Sequence, residues 1–460
     1  MNMSEIIPLL REIVGAEYVS DDPMTLLVYS RDYSSLPAQK AQVIVLPGCT
    51  EEVSEIMRLA NKTGTPVTVR GGATTAALST SKEGIILDLN RMNKILKIDT
   101  EGSLYLTAQA GCAIYTITQE LDKLGFILAG RPMFGPVASI GSWVNTVGIG
   151  GGCNRYGYFS ENITGIEVVL PTGEIVRTGV NSLQNCDPYC RYTHASDLTG
   201  IFVGSRGSMG VVTEVSTRIF PKEPCAGFIT MGYNTDEDLV RATNLLFKAD
   251  VAENIDINDW SLGKFVDMEI PAKHMLNVVV QGVQAEVDRK LQVCRDIIAQ
   301  TNGIDMGPDI AALIFYGSGL TAYVYKKEGY GHLVFCDSYW HSIDAYPALY
   351  ESFTRILDKY GLHMNCIFGW FMKGVGCSFP IVAYKEPDDR DAMNAAWKEI
   401  CDEWFAVKDS APGMSVTSPT NYNLDPLRPS YYWLLRKIKD VVDPKNIMNS
   451  KVIPSAGRMD

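Results

Sequence analysis

Apolar residues recur at helical spacing over residues 4–14, 50–60 and 114–124, and as short dense runs at 67–69, 85–89 and 104–108. The first pattern puts one apolar stripe on a helix; the second builds strands. Ser4 is placed to cap the first helix, with Pro8 in its first turn and Gly15 as its stop. Thr50 is placed to cap the second, which carries Val53, Ile56, Met57 and Ala60 on one face. Ile114, Ile117, Leu121 and Leu124 line the third, which stops at Gly125. Past Pro221-Lys-Glu-Pro224 the glycines thin out. Helices are predicted at 236–249, 285–300, 346–360, 388–405 and 428–442, and strands at 277–281, 332–336, 366–371 and 377–384. Asp388-Asp-Arg-Asp391 suits a helix N-terminus, where acids complement the dipole. The expected class is α+β, in two layered units.

Glycines interrupt this pattern in two places. In Thr65-Pro-Val-Thr-Val-Arg-Gly-Gly-Ala-Thr-Thr75 a strand runs straight into Gly71 and Gly72. Paired glycines let the backbone approach a ligand without a Cβ and with φ values closed to other residues. Successive free N–H groups there would form a nest for an anion, with Arg70 adding charge and Thr74 and Thr75 adding hydroxyls. The Walker pattern is excluded because no Gly-Lys-Ser/Thr follows. The second place is Ala138-Ser-Ile-Gly-Ser-Trp-Val-Asn-Thr-Val-Gly-Ile-Gly-Gly-Gly-Cys-Asn-Arg-Tyr-Gly157, either a loop or a further cofactor-binding segment.

A chain of 460 residues exceeds one ordinary core, which supports the two units. A net charge of −12, with no basic run, argues against a nucleic-acid surface. The N-terminus lacks a basic stretch and cleavage site, and no apolar run reaches the length of a membrane span, so a cytoplasmic protein is expected. Eleven cysteines without regular spacing fit a reducing compartment. Cys186 and Cys190 lack the spacing of a thioredoxin motif and read as a coincidental pair. The five histidines, His194, His274, His332, His341 and His363, show no metal spacing.

The order of these blocks, followed by Gly165-Ile-Glu-Val-Val-Leu-Pro-Thr-Gly-Glu174, Phe202-Val-Gly-Ser-Arg-Gly-Ser-Met-Gly-Val-Val-Thr-Glu214 and Asp443-Pro-Lys-Asn-Ile-Met-Asn449, resembles the FAD-binding PCMH-type oxidoreductases. That family includes vanillyl-alcohol oxidase, p-cresol methylhydroxylase, glycolate oxidase and D-lactate dehydrogenases. The resemblance covers nearly the whole chain. It implies a two-lobed FAD-binding domain at 1–222, an α+β substrate or cap domain at 223–425, and a return to the first domain at 426–460. It implies FAD contacts from Arg70, Gly71, Gly72, Ala73, Thr74 and Thr75, from Pro136, Val137, Ser139, Ile140, Gly141 and Thr146, and from Gly150, Cys153, Tyr156 and Gly157. Val211, Val212 and Asn449 complete that expected set. Many members attach the flavin to a histidine just after the paired glycines. This chain has Thr74 near that place, so non-covalent FAD is expected.

For the substrate the resemblance is less direct. The hydroxy-acid branch carries a metal-binding histidine pair where this chain has Trp370 and Cys377, and no metal is expected. Neither a Gly-Glu-His-Gly segment nor the Tyr-Arg pair of the phenol branch is present in the stretch ending at Tyr422. Trp370, Cys377 and Tyr422 are nevertheless the expected pocket residues. His341, among aromatic neighbours, is the best base candidate; Tyr156 and Tyr158 are acid/base candidates or simply packing aromatics. Tyr and Trp are dense between residues 330 and 350, which favours an aromatic or apolar substrate. The expected activity is hydride removal from an alcohol, hydroxy acid or benzylic carbon, with electrons passed to a protein or a quinone. The alternatives are an oxidase of para-substituted phenols and a flavin-binding subunit without its own chemistry. A homo-oligomer is expected.

Overall fold

The computed structural model describes residues 1–32, 34–74, 79–81, 83–316, 332–335, 339–406, 415–416, 429–450 and 452. Two sheets build the first lobe. The smaller runs in the order Val19–Ser20, Val43–Val45, Ile85–Asp88, Val67–Arg70, with the last three strands parallel. Parallel strands are buried on both faces, and Val43–Val45 and Ile85–Asp88 are buried throughout. The larger sheet is antiparallel and centres on Val211–Pro221, flanked by Tyr105–Gln109 and Ile163–Val169. The helices Met3–Val14, Thr50–Thr63 and Ile114–Lys123 lay their apolar stripes into one core with both sheets.

The strand Val211–Pro221 ends one lobe and Cys225–Tyr233 starts the other, in a separate sheet. That sheet is antiparallel and has nine described strands. Along its strands odd and even positions divide between two cores. Ile255, Ile257, Ile367 and Phe371 face the helices Asp236–Ala249, Gln284–Gln300, Tyr346–Lys359 and Arg390–Ala406. Phe368, Trp370, Phe379 and Ile381 face the other way, with Met133 and Ile149 of the first lobe packed against them. This second face is the one that looks onto a site.

The chain end is stapled to the first lobe. Val67 donates its N–H to the carbonyl of Ile447 at 2.8 Å, and Asn449 donates to the carbonyl of Val67 at 3.0 Å. Beneath this lies Lys439, fully buried, bonded to Asp443 and to the carbonyls of Ser208 (2.6 Å) and Met448 (3.0 Å). Asp443 in turn accepts from the N–H groups of Ile447 and Met448. A buried ion pair holds only when its remaining valences are filled in this way.

Several local expectations are corrected. Asn2, not Ser4, caps the first helix, in a reciprocal capping box with Glu5. The earlier start leaves Pro8 inside the helix rather than in its first turn. Cys49 holds the N-cap position of the second helix, and the Thr50 hydroxyl instead donates to Glu167 at 2.7 Å. Leu124 is the exposed C-cap of its helix. The strands Cys225–Tyr233 and Asn254–Asp259 were not anticipated. Among the described residues no helix is long and apolar enough to cross a membrane.

Candidate active site between the two lobes

The turn after Val67–Arg70 is held tightly. A Cβ on Gly72 would lie 1.8 Å from the carbonyl oxygen of Val137, and one on Gly71 would lie 2.2 Å from Ser139 Oγ. The left-handed residue is Ala73, at φ 52°, not Gly72, so Gly72 is required for space and not for its φ. Among the described residues none accepts from the N–H of Gly72, Ala73 or Thr74. Thr75 lies outside the described residues. Gly71, Ala73 and Thr74 face Ser139, Gly141, Thr146 and Val212 across a cleft between the two sheets, with Asn145 and Arg206 beside them. Arg70 turns its guanidinium to the carbonyls of Tyr29, Arg31 and Ser79, bracing the walls of a second, 700 Å³ opening on the other side of the turn. Pro136 and Val137 line that opening too.

The second glycine region supplies close approach as well. Gly141 meets Ala110, where a Cβ would lie 2.5 Å from the Ala110 Cβ, and Gly150 meets the carbonyl of Arg131 at 2.2 Å by the same measure. Ile140 and Val211 are fully buried. Asn449 donates through Nδ2 to the carbonyl of Arg206 at 2.8 Å, and its buried Oδ1 has no partner among the described residues. Residues 150–157 are not a loose loop. Gly152 N–H donates to Asn254 Oδ1 at 2.8 Å, Asn154 Nδ2 to the Ala252 carbonyl at 2.7 Å, and Lys373 N–H to Asn154 Oδ1 at 3.2 Å. This segment therefore docks the two lobes. Cys153 Sγ accepts from Gly150 N–H at 3.2 Å, and burial pushes its thiol up to about 12. Gly157 closes the short helix at φ 76°.

Between the lobes lies a 520 Å³ cavity. Its walls are Met133, Ile314, Phe315, Phe368 and Trp370, and its polar groups include Arg131, Asn254, Asp256 and Gln281. It shares Pro136 with the opening beside Gly72. Asp256 pairs with Trp370 across adjacent strands, and Trp370 pairs with Cys377. Paired residues project from the same face of a sheet. Trp370 reaches the cavity; Cys377 is fully buried and does not line it.

The acid/base candidates separate. His341 is 1% exposed, its Nδ1 donating to the Ser342 carbonyl at 2.7 Å and its Nε2 accepting from the Ser378 hydroxyl at 2.8 Å. Burial drives its imidazolium down to about 4. Both nitrogens are thus committed inside the sheet, and the ring does not reach the cavity. Tyr156 packs against Phe220, and burial raises its phenol to about 12. Tyr158 sits edge-on to Trp340, and its buried hydroxyl has no partner among the described residues. Tyr422 lies outside the described residues. Among them no group of three or more His, Cys, Asp and Glu side chains could hold a metal ion.

Sequence reasoning missed Asp256, Arg131 and Glu253. Asp256 is 2% exposed; Asn254 Nδ2 donates to its Oδ2 at 2.8 Å, while Oδ1 has no partner among the described residues. Burial pushes its carboxyl up to about 7, against the opposing pull of Asn254 and Arg131. The signal was present in Asn254-Ile-Asp-Ile-Asn-Asp259, where polar residues alternate with isoleucine. That is a strand pattern whose polar face is buried rather than wet.

Comparison with known proteins matches this architecture. Residues 41–179 match the family model described as FAD binding domain, and residues 257–410 match the C-terminal domain of FAD linked oxidases. Glycolate oxidase subunit GlcD of Bacillus subtilis is 31% identical over 219 residues, which cover 46% of this chain and 44% of that one. The match thus spans less than half of that relative. Mitochondrial D-lactate dehydrogenase [cytochrome] 1 of Saccharomyces cerevisiae is 24% identical over 489 residues, covering 98% of this chain and 79% of that one. The crystal structure of p-cresol methylhydroxylase with substrate bound superposes with a TM-score of 0.87 at 18% identity, covering 99% of this chain and 98% of that one, and shares the fold. The chain thus joins an FAD binding domain to the C-terminal domain of FAD linked oxidases, on the fold shared with p-cresol methylhydroxylase, and FAD is its cofactor.

Proposed function

We propose that the protein removes a hydride from a carbon bearing, or conjugated to, an oxygen, and passes the electrons to an acceptor protein or a quinone. The observation that carries this reading is the 520 Å³ interlobe cavity, apolar-walled with a few convergent polar groups, adjoining the opening beside Gly72. Cavities of that make-up suit small organic ligands. FAD would be held by the unused N–H groups of residues 72–74, by the hydroxyls of Thr74, Ser139 and Thr146, and by Asn449 Oδ1. A buried amide oxygen without a partner and a turn where no Cβ fits are both consistent with a polar ligand there. When bound, FAD supplies the two-electron oxidant. The chain's own residues orient the donor carbon, take up a proton and exclude water.

Thr74, near the place where relatives link a histidine to the flavin, supports non-covalent FAD. Phe315, Phe368 and Trp370 in the cavity wall favour a second reading, an oxidase of para-substituted phenols, the class of substrate named for p-cresol methylhydroxylase. The test is anaerobic mixing of the yellow protein with panels of alcohols, 2-hydroxy acids and alkylphenols while the flavin absorbance is followed. Bleaching by one class supports the reading; no bleaching by any, with dithionite still reducing the flavin, refutes it. Peroxide yield in air then separates oxidase from dehydrogenase.

A further inference from the structure

The charges around the interlobe cavity bear on which substrates can enter it. The Arg131 guanidinium lies 3.7 Å over the ring of Phe315 and 3.3 Å from Glu253 Oε1, and Glu253 is itself buried. At the rim Lys222 pairs with Asp122, and Glu223 pairs with Arg155 at 2.7 Å. Each cation among the described lining residues is therefore matched by a carboxylate already. Asp256 remains over, with Oδ1 unshared. A substrate carboxylate brought here would find no unshared cation among the described lining residues to replace its hydration, and would meet a like charge. A neutral hydroxyl carries no charge to strand, the buried Asp256 Oδ1 has no partner among the described residues, and an apolar body meets Met133, Phe368 and Trp370.

We propose that this cavity takes a neutral, apolar alcohol rather than a hydroxycarboxylate, and that Asp256 is the catalytic base that receives its hydroxyl proton. The proposal rests on the hydride-removal reading above. The alcohol O–H bond breaks towards Asp256 Oδ1, the carbinol C–H leaves as hydride with its electron pair to the flavin, and the carbon–oxygen bond becomes a carbonyl. Burial holds the Asp256 carboxyl near 7, so the base forms in the range where a general base works best. The groups facing it are Asn254, Asn277 and Trp370 on its own sheet and Arg131, with Glu253, at the first lobe's edge.

The test uses the flavin-loaded protein and matched ligands, 1-phenylethanol and mandelate, which differ by methyl against carboxylate. Calorimetric binding from pH 6 to 8.5 should show the alcohol bound at least tenfold more tightly at pH 8, with mandelate weakening as pH rises through about 7. Asp256→Asn should strengthen mandelate binding about tenfold and remove its pH dependence. With neutral alcohols as substrates, Asp256→Asn should slow anaerobic flavin reduction by roughly 10² to 10⁴-fold, the usual contribution of a general base. Flavin content should be unchanged, and Asp256→Glu should recover part of the rate. Mandelate binding more tightly than the alcohol at pH 8, or Asp256→Asn reducing flavin at the wild-type rate, overturns the proposal. Reduction by 2-hydroxy acids and not by neutral alcohols overturns it alone, leaving hydride removal standing. Reduction by neither class, with dithionite still effective, refutes hydride removal and the base role together.

Discussion

Replacing Gly72 by alanine adds one methyl group where the backbone leaves no room. The new Cβ would start 1.8 Å from the Val137 carbonyl oxygen and 2.6 Å from its carbonyl carbon. Real Cβ contacts essentially never fall below 3.0 Å, so the turn and residue 137 must part by at least about 1.2 Å. No flexible side chain can yield, because both partners are backbone. Hydrogen bonds weaken steeply over such a shift. If the N–H groups of Gly72, Ala73 and Thr74 hold the pyrophosphate of FAD, losing two charge-assisted bonds costs about 3–6 kcal/mol, at 1.5–3 kcal/mol each. FAD affinity should then fall by roughly 10² to 10⁴-fold, at a factor of ten per 1.4 kcal/mol.

The assay is FAD titration of the apoprotein by quenching of flavin fluorescence, with circular dichroism to confirm the fold. Gly64→Ala is the control. Gly64 sits at φ 70° as the left-handed cap of the helix Thr50–Thr63, with nothing within 4 Å of its Cβ position. Alanine there costs about 1–2 kcal/mol of backbone strain and should leave FAD affinity unchanged. If Gly72→Ala keeps wild-type affinity while folded, the N–H groups of this turn do not hold the cofactor, and the second glycine region must do so alone.

Other expectations follow from single observations. Acid precipitation should leave the yellow colour in the supernatant, because Thr74 offers no attachment; colour in the pellet would show a covalent link. Activity should persist after EDTA treatment, since by the family resemblance Trp370 and Cys377 replace the metal-binding histidine pair of the hydroxy-acid branch; loss restored by zinc or manganese would contradict this. Asp443→Ala should lower stability by about 3–5 kcal/mol, the usual effect of stranding a buried charge such as Lys439, with thermal unfolding as the measure. Glu214, half-buried and beside Glu167, has its carboxyl raised to about 7, first by burial and then by that neighbour. The folded state therefore keeps a proton that the unfolded state releases near the ordinary glutamate value, and stability falls as pH rises from there through about 7. Glu214→Gln should flatten that fall; an unchanged melting profile between pH 5 and pH 8 would refute it.

Most of the first lobe was legible because its signals are local. A helix stripe such as Val53, Ile56, Met57 and Ala60, stopped by Gly64, needs no distant partner to be read, and Gly71-Gly72 declares a backbone approach wherever it occurs. The N-caps failed for a related reason: Ser4 and Thr50 are sound capping residues, but Asn2 and Cys49 hold those positions, and Thr50 spends its hydroxyl on Glu167, a partner 117 positions away. The strand Asn254–Asp259 was missed because Asn and Asp are poor strand formers by propensity. Their side chains are satisfied here by partners that include Asn277 Nδ2 to Asn258 Oδ1 at 2.7 Å, Ile367 N–H to Asp259 Oδ1 at 2.9 Å and the docking of Gly152 onto Asn254.

The same long-range partners explain why the chemistry was harder to read than the cofactor turn. His341 looked like a base because aromatic neighbours surround it in the sequence, yet its ring packs against Tyr346 and Phe371 on the helix-covered side of the sheet, away from the cavity. Asp256 looked ordinary because nothing beside it in the sequence is aromatic or cationic. Its character comes from burial beside Trp370, 114 positions later and its register partner on the adjacent strand, which raises the carboxyl against the opposing pull of Arg131 on the other lobe. A residue becomes reactive through what the fold brings to it, and in this protein that assembly happens where Gly152 and Asn154 pin one lobe to the other. Loosening that joint, by Asn154→Ala for instance, should therefore disturb the Asp256 environment before it disturbs FAD binding.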